Sequence, residues 1–419
     1  MGRQQMQITR RGVTLGLSAM SLTACLPGGG GGGIAARPPE PAMQAVPNPG
    51  WDAWVQGFRA RALGAGISGG TFDTAFRGAG FLPGVIERDR NQTEFTRTTE
   101  DYLSIAASDE RLSKGRAAMA RQAAVLQAVE ARYGVEGHVV AAVWGLESFF
   151  GERRGSVPVI SALSTLAYDG RRGAFMEQQL VAALKILQAG DTTAGQMVGS
   201  WAGAMGHTQF IPTSYLLFAV DFTGDGRRDI WSEDPTDSLA STAAYLARNG
   251  WRRGQPWGLE VTRPQGLVAP GRGAARGVAD WRAAGVRAAD GGAIPDAGAA
   301  SLIAPAGPNG PAFLLFRNFS VILTYNNAEN YALGVGHLSD RLAGKGPIRG
   351  TFPPDSNGLT KSDRQEIQRR LTAAGFDTEG ADGVIGNRTR AAISAWQARR
   401  GLPVTGEPSL DLLQMLRGG

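Results

Sequence analysis

Apolar residues recur at spacings of three and four along most of residues 51–342, the period of helices that bury one face. Residues 110–132 and 173–189 carry this pattern. So do residues 236–249, with Asp237 near the start and Gly250 just past the end. Residues 135–150 read as a further helix, while residues 200–215 read as a Gly-rich loop entering a helix at Pro212 and Thr213. Over residues 255–312 the pattern changes to Gly, Ala, Pro and Arg with short strand-like pieces, Gly258–Thr262 and residues 312–316. These predict a small β-containing insertion. Residues 319–323 read as an apolar strand that leads into a last helix. The fold class expected is mainly α, of the α+β kind.

A second boundary falls in the Gly- and Pro-rich residues 344–358. Beyond it, Ser362 and Gln365 are placed for a capping box, and Ile367 and Leu371 repeat at i, i+4 before Gly375. A second helix carries Ala392 and Trp396 and closes at Gly401; a third carries Leu412, Leu413 and Leu416. Between the first two lies a turn-rich loop, Asp382-Gly383-Val384-Ile385-Gly386. The chain of 419 residues, 42% hydrophobic, is long enough for two or three packed domains. The division expected is 1–24 as an export signal, 25–50 as a tether, 51–343 as the main domain, 344–358 as a linker and 359–419 as a three-helix module.

The start of the chain changes this picture. Arg3, Arg10 and Arg11 precede the short apolar run VTLGLSAMSLTA and then Cys25, the order of a secretory signal. That run is too short to cross a bilayer. Leu22-Thr23-Ala24-Cys25 resembles the lipobox of bacterial lipoproteins, in which the cysteine takes a diacylglycerol and becomes the new N-terminus; the alternative is a soluble export signal. Thr9-Arg10-Arg11-Gly12-Val13-Thr14-Leu15 resembles a twin-arginine signal, although ordinary signals also carry paired arginines. Residues 26–50, rich in Gly, Pro and Ala, suit a flexible tether. Leu26 follows the cysteine, with no aspartate to hold a lipoprotein at the inner membrane, so the expected location is periplasmic, lipid-anchored to the outer membrane. Cys25 is the only cysteine, which excludes an intramolecular disulfide. His138, His207 and His337 are far apart and lack zinc-ligand spacing. The formal charge of +6 falls toward neutral once the signal's three arginines leave, and no basic stripe interleaved with aromatics points to nucleic acid.

The strongest chemical signal is VWGLESFFG, residues 143–151. On a helix, Val140, Val143 and Trp144 share a face with Glu147, so the acid lies on an apolar stripe. An unpaired buried carboxylate raises its pKa and stays protonated, and a protonated acid near neutral pH can donate to a glycosidic oxygen. Ser148 and Gly151 are expected to leave room for a ligand. The plainer reading is a structural glutamate paired with Arg153 or Arg154. Gln209, in SWAGAMGHTQFIPTSY, offers two donors and an acceptor suited to sugar hydroxyl or acetamido groups. NFSVILTYNNAENYAL, residues 318–333, groups Tyr325, Asn326 and Tyr331. Aromatics with amides fit a carbohydrate groove, though each residue fits core packing equally, with Asn326 as a cap.

Taken in order, VWGLESFFG, SWAGAMGHTQFIPTSY, DFTGDGRRDIW, SLASTAAYLARNGW and NFSVILTYNNAENYAL resemble the lytic murein transglycosylases of the membrane-bound B type, over residues 51–342. IQRRL followed by GFDTEGADGVIGNRTRAAISAWQARRGLPVTG resembles the three-helix peptidoglycan-binding module of wall enzymes, over residues 359–416. The resemblance implies a lysozyme-like helical catalytic domain that cleaves the MurNAc–GlcNAc β-1,4 bond of peptidoglycan. It implies Glu147 as the single acid/base, with the muramoyl C6 hydroxyl closing a 1,6-anhydro ring. Gln209, Tyr245, Tyr325, Asn326 and Tyr331 would line the saccharide subsites, with Ser200 a polar neighbour of Glu147. The chemistry needs no cofactor. The implied partners are glycan strands and, through the anchor, a membrane.

Asp221-Phe222-Thr223-Gly224-Asp225-Gly226-Arg227 starts like an EF-hand loop, with oxygens at positions one, three and five and Gly at six, but position twelve is Ser232. Some members of the resembling family close this loop with a later aspartate. That implies Asp221, Thr223, Asp225, the Arg227 carbonyl and Asp237 as ligands of a structural Ca²⁺. The other reading is an Asp/Gly turn satisfied by its own backbone. Two further function classes stay open at this point: a non-catalytic wall-binding scaffold, and a hydrolytic muramidase with a second carboxylate across the cleft.

Overall fold

A computed structural model of the chain describes residues 43–91 and 97–418. The export signal, Cys25 and the tether up to residue 42 lie outside the described residues. Among the described residues, no helix is long and apolar enough to cross a membrane.

The first half is helical: α1 (Pro49–Gly64), α2 (Gly69–Phe76), α3 (Pro83–Arg90), α4 (Thr99–Ala106), α5 (Asp109–Arg121), α6 (Ala123–Tyr133) and α7 (Gly137–Ser148). Ser, Thr and Asn side chains cap four of these starts, at Asn48, Ser68, Thr98 and Ser108, each accepting an amide hydrogen from the first turn. The periodic stretch 110–132 is broken at Gln122, which ends α5 and begins α6 with a non-helical backbone. A two-stranded pair, β1 (Val157–Pro158) and β2 (Val198–Gly199), encloses α8 (Val159–Asp169) and α9 (Gly173–Ala189). Then come α10 (Pro212–Phe218) and α11 (Thr236–Arg248).

Every residue of α7 except His138 is buried, so this helix is apolar on all sides and runs through the middle of the molecule. Val139, Val140 and Trp144 belong to one core, shared with Leu163, Leu184 and Tyr215. Ala142, Val143 and Leu146 belong to another, shared with Leu338 and Phe319. α7 is thus the partition between two cores, and its close neighbours include α5, α6, α11 and α14 (Glu329–Leu342). Gly145 makes that crossing tight: a Cβ there would lie 2.6 Å from the Phe150 ring.

The predicted insertion is a five-stranded antiparallel sheet of β3 (Gly258–Thr262), β4 (Ala275–Arg276), β5 (Arg287–Ala288), β6 (Ala300–Ile303) and β7 (Ala312–Leu315), in the order β4-β6-β7-β3-β5, with α12 (Val278–Ala283) on its own small core. Gly258 pairs with Leu315 and Val261 with Ala312. The strand expected at residues 319–323 is instead part of α13 (Arg317–Tyr325). Asn318, Phe319, Val321 and Ile322 are its buried residues, a helical spacing hidden inside a short apolar run that fits either period.

α14 ends at Leu342 and α15 (Lys361–Ala373) follows a stretch without helix or strand. α15, α16 (Asn387–Arg399) and α17 (Leu410–Arg417) close round Ile367, Leu371, Ile393, Trp396 and Leu413. The capping box is Thr360 with Asp363, not Ser362 with Gln365, because the helix starts one residue before Ser362. Buried Arg364 joins this unit to the rest: its guanidinium donates to Asp355 at 3.1 Å in the preceding segment, and to Glu100 at 2.6 Å and Asp101 at 3.2 Å on α4. Lys361 adds a hydrogen bond to Ser104.

Candidate functional site

Glu147 occupies the last turn of α7, and only 5% of it is exposed. Its polar partner is a phenol: the Tyr331 hydroxyl, from α14, donates to Oε1 at 2.6 Å. Neither arginine of the plainer reading reaches it. Arg154 pairs with Glu233, and Arg153 stacks over the Phe149 ring at 4.3 Å. Burial raises the carboxyl pKa from 4.5 to about 8, against the opposing effect of the Tyr331 hydrogen bond. Glu147 is therefore protonated at neutral pH, with Oε2 left over for whatever enters beside it.

What lies beside it is a cavity of about 200 Å³ lined by Glu147, Gln209, Phe210, Tyr245, Tyr325 and Asn326, among others. Glu147 is the one acid among the described lining residues. Gln209 sits at φ 54, a left-handed backbone that costs a non-glycine residue on the order of 1 kcal/mol or more. Its Nε2 donates to the Gly206 carbonyl at 2.8 Å and to the Arg154 carbonyl at 3.0 Å. Both amide hydrogens are used, so Oε1 remains to accept a hydrogen bond from a ligand N–H or O–H.

The hydroxyls of two tyrosines beside the cavity are engaged by backbone carbonyls. Tyr325 donates to the Thr208 carbonyl at 2.6 Å, and Tyr245 to the Thr324 carbonyl. Their rings meet edge-on at 4.9 Å. Burial first, and the nearby Glu147 second, push the Tyr325 and Tyr331 hydroxyls well above the ordinary range, so both remain donors. Asn326 caps the turn into α14 by accepting the Ala328 amide hydrogen at 3.1 Å.

Gln209, Tyr245, Tyr325, Asn326 and Tyr331 thus converge on Glu147. Ser200 does not join the cavity lining; its hydroxyl accepts the amide hydrogens of Ala202 and Ala204, shaping the turn after β2. The room expected at Ser148 and Gly151 is filled. Ser148 donates to the His207 carbonyl at 2.5 Å, and a Cβ on Gly151 would meet the His207 ring at 2.6 Å. His207 and Arg154 were not read from the sequence as site residues. The GHTQF run placed His207 two positions from Gln209, and that proximity was the available signal.

The acidic loop from residue 221 to 237 is closed by its own backbone. Asp221 accepts from the Gly224 and Gly226 amides, Asp225 from Arg227, and Asp237 from Phe222, Thr223 and Asp229. Thr223 also donates to Asp221 at 3.2 Å, and among the described residues no group of three acidic, histidine or cysteine side chains stands as a metal cluster. This donor arrangement fits the self-satisfied turn.

The family model described as transglycosylase SLT domain matches residues 50–340, and that of a peptidoglycan-binding domain matches residues 360–416. SltB3 from Pseudomonas aeruginosa, solved in complex with NAG-anhNAM-pentapeptide, is 47% identical; the match covers 88% of this chain and 100% of that one, with a TM-score of 0.71. Soluble lytic transglycosylase SltB1 from the same organism is 29% identical, covering 70% of this chain and 98% of that one, with a TM-score of 0.61. Escherichia coli Slt35, solved in complex with calcium, is 24% identical, covers 71% and 93%, and with a TM-score of 0.61 shares the fold. Membrane-bound lytic murein transglycosylase B of Escherichia coli strain K12 is 29% identical over 213 residues, 50% of this chain and 58% of that protein's length.

The raised acid has a consequence for stability. Between pH 4.5 and about 8 the unfolded chain ionises at Glu147 while the folded chain keeps its proton, so this residue's contribution to stability is lost as pH rises through that window. Glu147→Gln removes the titration. In urea melts the variant should gain on the wild type as pH rises, by on the order of 3 kcal/mol at pH 7, and the gain should vanish below pH 4. A difference independent of pH would contradict the assignment.

Proposed function

The chain belongs to the transglycosylase SLT domain family, and from that premise we propose that it is a lytic transglycosylase of peptidoglycan, with Glu147 as its only acid/base. Its fold is the lysozyme-like helical fold of lytic transglycosylases, followed by a helical peptidoglycan-binding module. The carrying observation is the cavity in which one buried, protonated carboxylate stands beside Gln209, Tyr325 and Asn326 with no second acid among its described lining residues. A two-carboxylate glycosidase uses the second acid as base or nucleophile. Here the attacking group belongs to the substrate.

Glu147 gives its proton to the glycosidic oxygen as the muramoyl C1–O bond breaks. The C6 hydroxyl of the same sugar then attacks C1, and its proton passes to the Glu147 carboxylate, so the acid is restored and no water is consumed. Intramolecular attack replaces the positioning that a bound water would need. The Tyr331 hydroxyl steadies the ionised intermediate form of Glu147, and Gln209 Oε1 accepts from a sugar N–H or O–H. Tyr245 and Tyr325 wall the subsite.

Residues 51–343 form the catalytic unit and 359–419 a wall-binding unit, joined by 344–358. Residues 1–24 direct export, and lipidation of Cys25 anchors the protein to the outer membrane from a periplasmic tether. Growth with labelled palmitate should mark the wild type and leave Cys25→Ala unlabelled; label on both would refute the anchor. The Asp221 loop is structural and holds its shape through backbone amides, so millimolar Ca²⁺ and EGTA should give the same melting temperature. A rise with Ca²⁺ would instead assign the five oxygen ligands.

Digestion of purified sacculi followed by mass spectrometry tests the activity. Anhydro-muropeptides should accumulate, and Glu147→Gln should reduce their rate of formation about 10²- to 10⁴-fold. The rate should also fall as pH rises past about 8, where Glu147 loses its proton. Products carrying an added water would identify a hydrolase, and tight binding without turnover a scaffold.

A further inference from the structure

We propose that His207 is a positioning residue that, as a neutral imidazole, locks the end of the helix carrying Glu147 to the turn that presents Gln209. The nearest polar atoms favour one tautomer: at Nε2 the Ser232 carbonyl is closer than the Arg154 nitrogen at 3.3 Å, which already donates to the Trp231 and Ser232 carbonyls. Trp144 Nε1, one turn before Glu147, can only donate, and it lies 3.3 Å from His207 Nδ1. The Ser232 carbonyl can only accept, and it lies 2.8 Å from Nε2. Nδ1 is therefore the acceptor and Nε2 carries the hydrogen.

The same residue grips the helix end through its backbone. The Ser148 hydroxyl donates to the His207 carbonyl, and the Gly151 amide donates back to that hydroxyl at 2.9 Å. Phe149, Phe150 and Gly151 follow at φ 54, 60 and 93, a sharp reversal that brings the chain against the imidazole. Gly151 has no alternative, since a side chain there would occupy the position of Nδ1.

On the other side, Arg154 ties the imidazole to the site amide. Its guanidinium donates to the Trp231 and Ser232 carbonyls at 3.0 and 2.7 Å and lies 3.3 Å from His207 Nε2, while its own carbonyl holds Gln209 Nε2. His207 and Arg154 thus share one carbonyl, and Gln209 depends on the backbone of one and stands two residues from the other.

A second proton on His207 would face the Trp144 N–H, donor against donor. Burial disfavours that proton first and the Arg154 cation also opposes it, while the Ser232 carbonyl, Glu233 and Asp234 favour it; the balance lowers the pKa. The neutral imidazole is accordingly favoured over the charged one.

For its effect on turnover this inference rests on the transglycosylase reading; the tautomer does not. Nitrogen-15 NMR of histidine-labelled protein should show His207 as the Nε2–H tautomer at pH 7, with its titration displaced below the ordinary histidine value. The Nδ1–H form, or titration at the ordinary histidine value, would overturn the proposal. With sacculi, His207→Phe and Gly151→Ala should each lose tenfold or more in kcat, and His207→Gln, which keeps a donor for Ser232, should recover part of the loss. Combining His207→Phe with Gln209→Ala should be no slower than Gln209→Ala alone; multiplicative losses, or full activity in His207→Phe, would refute a role through Gln209. A wild type that binds sacculi but releases no anhydro product would remove the transglycosylase reading while leaving the tautomer result intact.

Discussion

A carboxyl group held out of water, with a phenol as its hydrogen-bond partner, is the constraint around which the rest of this structure is arranged. Water would solvate an ionised Glu147 better than this interior does, so the folded protein keeps the proton on. Maintaining that condition requires a helix apolar on all sides, and α7 satisfies it by lying between two cores rather than on the edge of one. The requirement extends to α14, whose Tyr331 approaches Glu147 while Gly334 allows the backbone close to Leu146 and Tyr102.

The same arrangement shapes the cavity beside the acid. Among its described lining residues the cavity sets Gln209, Tyr325 and Asn326 beside Glu147 and no second carboxylate, the arrangement on which the proposed one-acid reaction rests. Gln209 lines the cavity on a strained backbone, and two carbonyls restrain its amide nitrogen. Strain of this kind persists where surrounding contacts over-determine it, and here the His207, Arg154 and Ser232 cluster does so. The acidic loop continues the chain of support: Asp237 holds the Asp229 amide, and Asp229 holds those of Trp231 and Ser232.

Much of this was legible in the sequence, for reasons that can be stated. Helical spacing placed Glu147 among Val140, Val143 and Trp144, and ordered blocks brought Gln209, Tyr325, Asn326 and Tyr331 to the same acid. Periodicity failed where it carries little information: residues 319–323 are apolar at nearly every position, which fits a strand or a buried helix alike, and tertiary packing chose the helix. Sequence proximity also misled at Gly151. Its missing side chain accommodates His207 rather than a ligand, a contact made over more than fifty positions of sequence. Ser200 is a neighbour of the acid by resemblance, and in the fold its hydroxyl oxygen accepts two amide hydrogens of its own turn. Pairings across the chain, such as Arg364 with Glu100, leave no periodic trace and are visible only in the fold.

The most direct measurement is the titration of Glu147 itself, followed by the carbon-13 shift of its carboxyl carbon in folded, substrate-free protein. The account predicts a midpoint near 8. A midpoint between 4 and 5, in the ordinary carboxylate range, would mean the acid is ionised at neutral pH and would contradict the central claim.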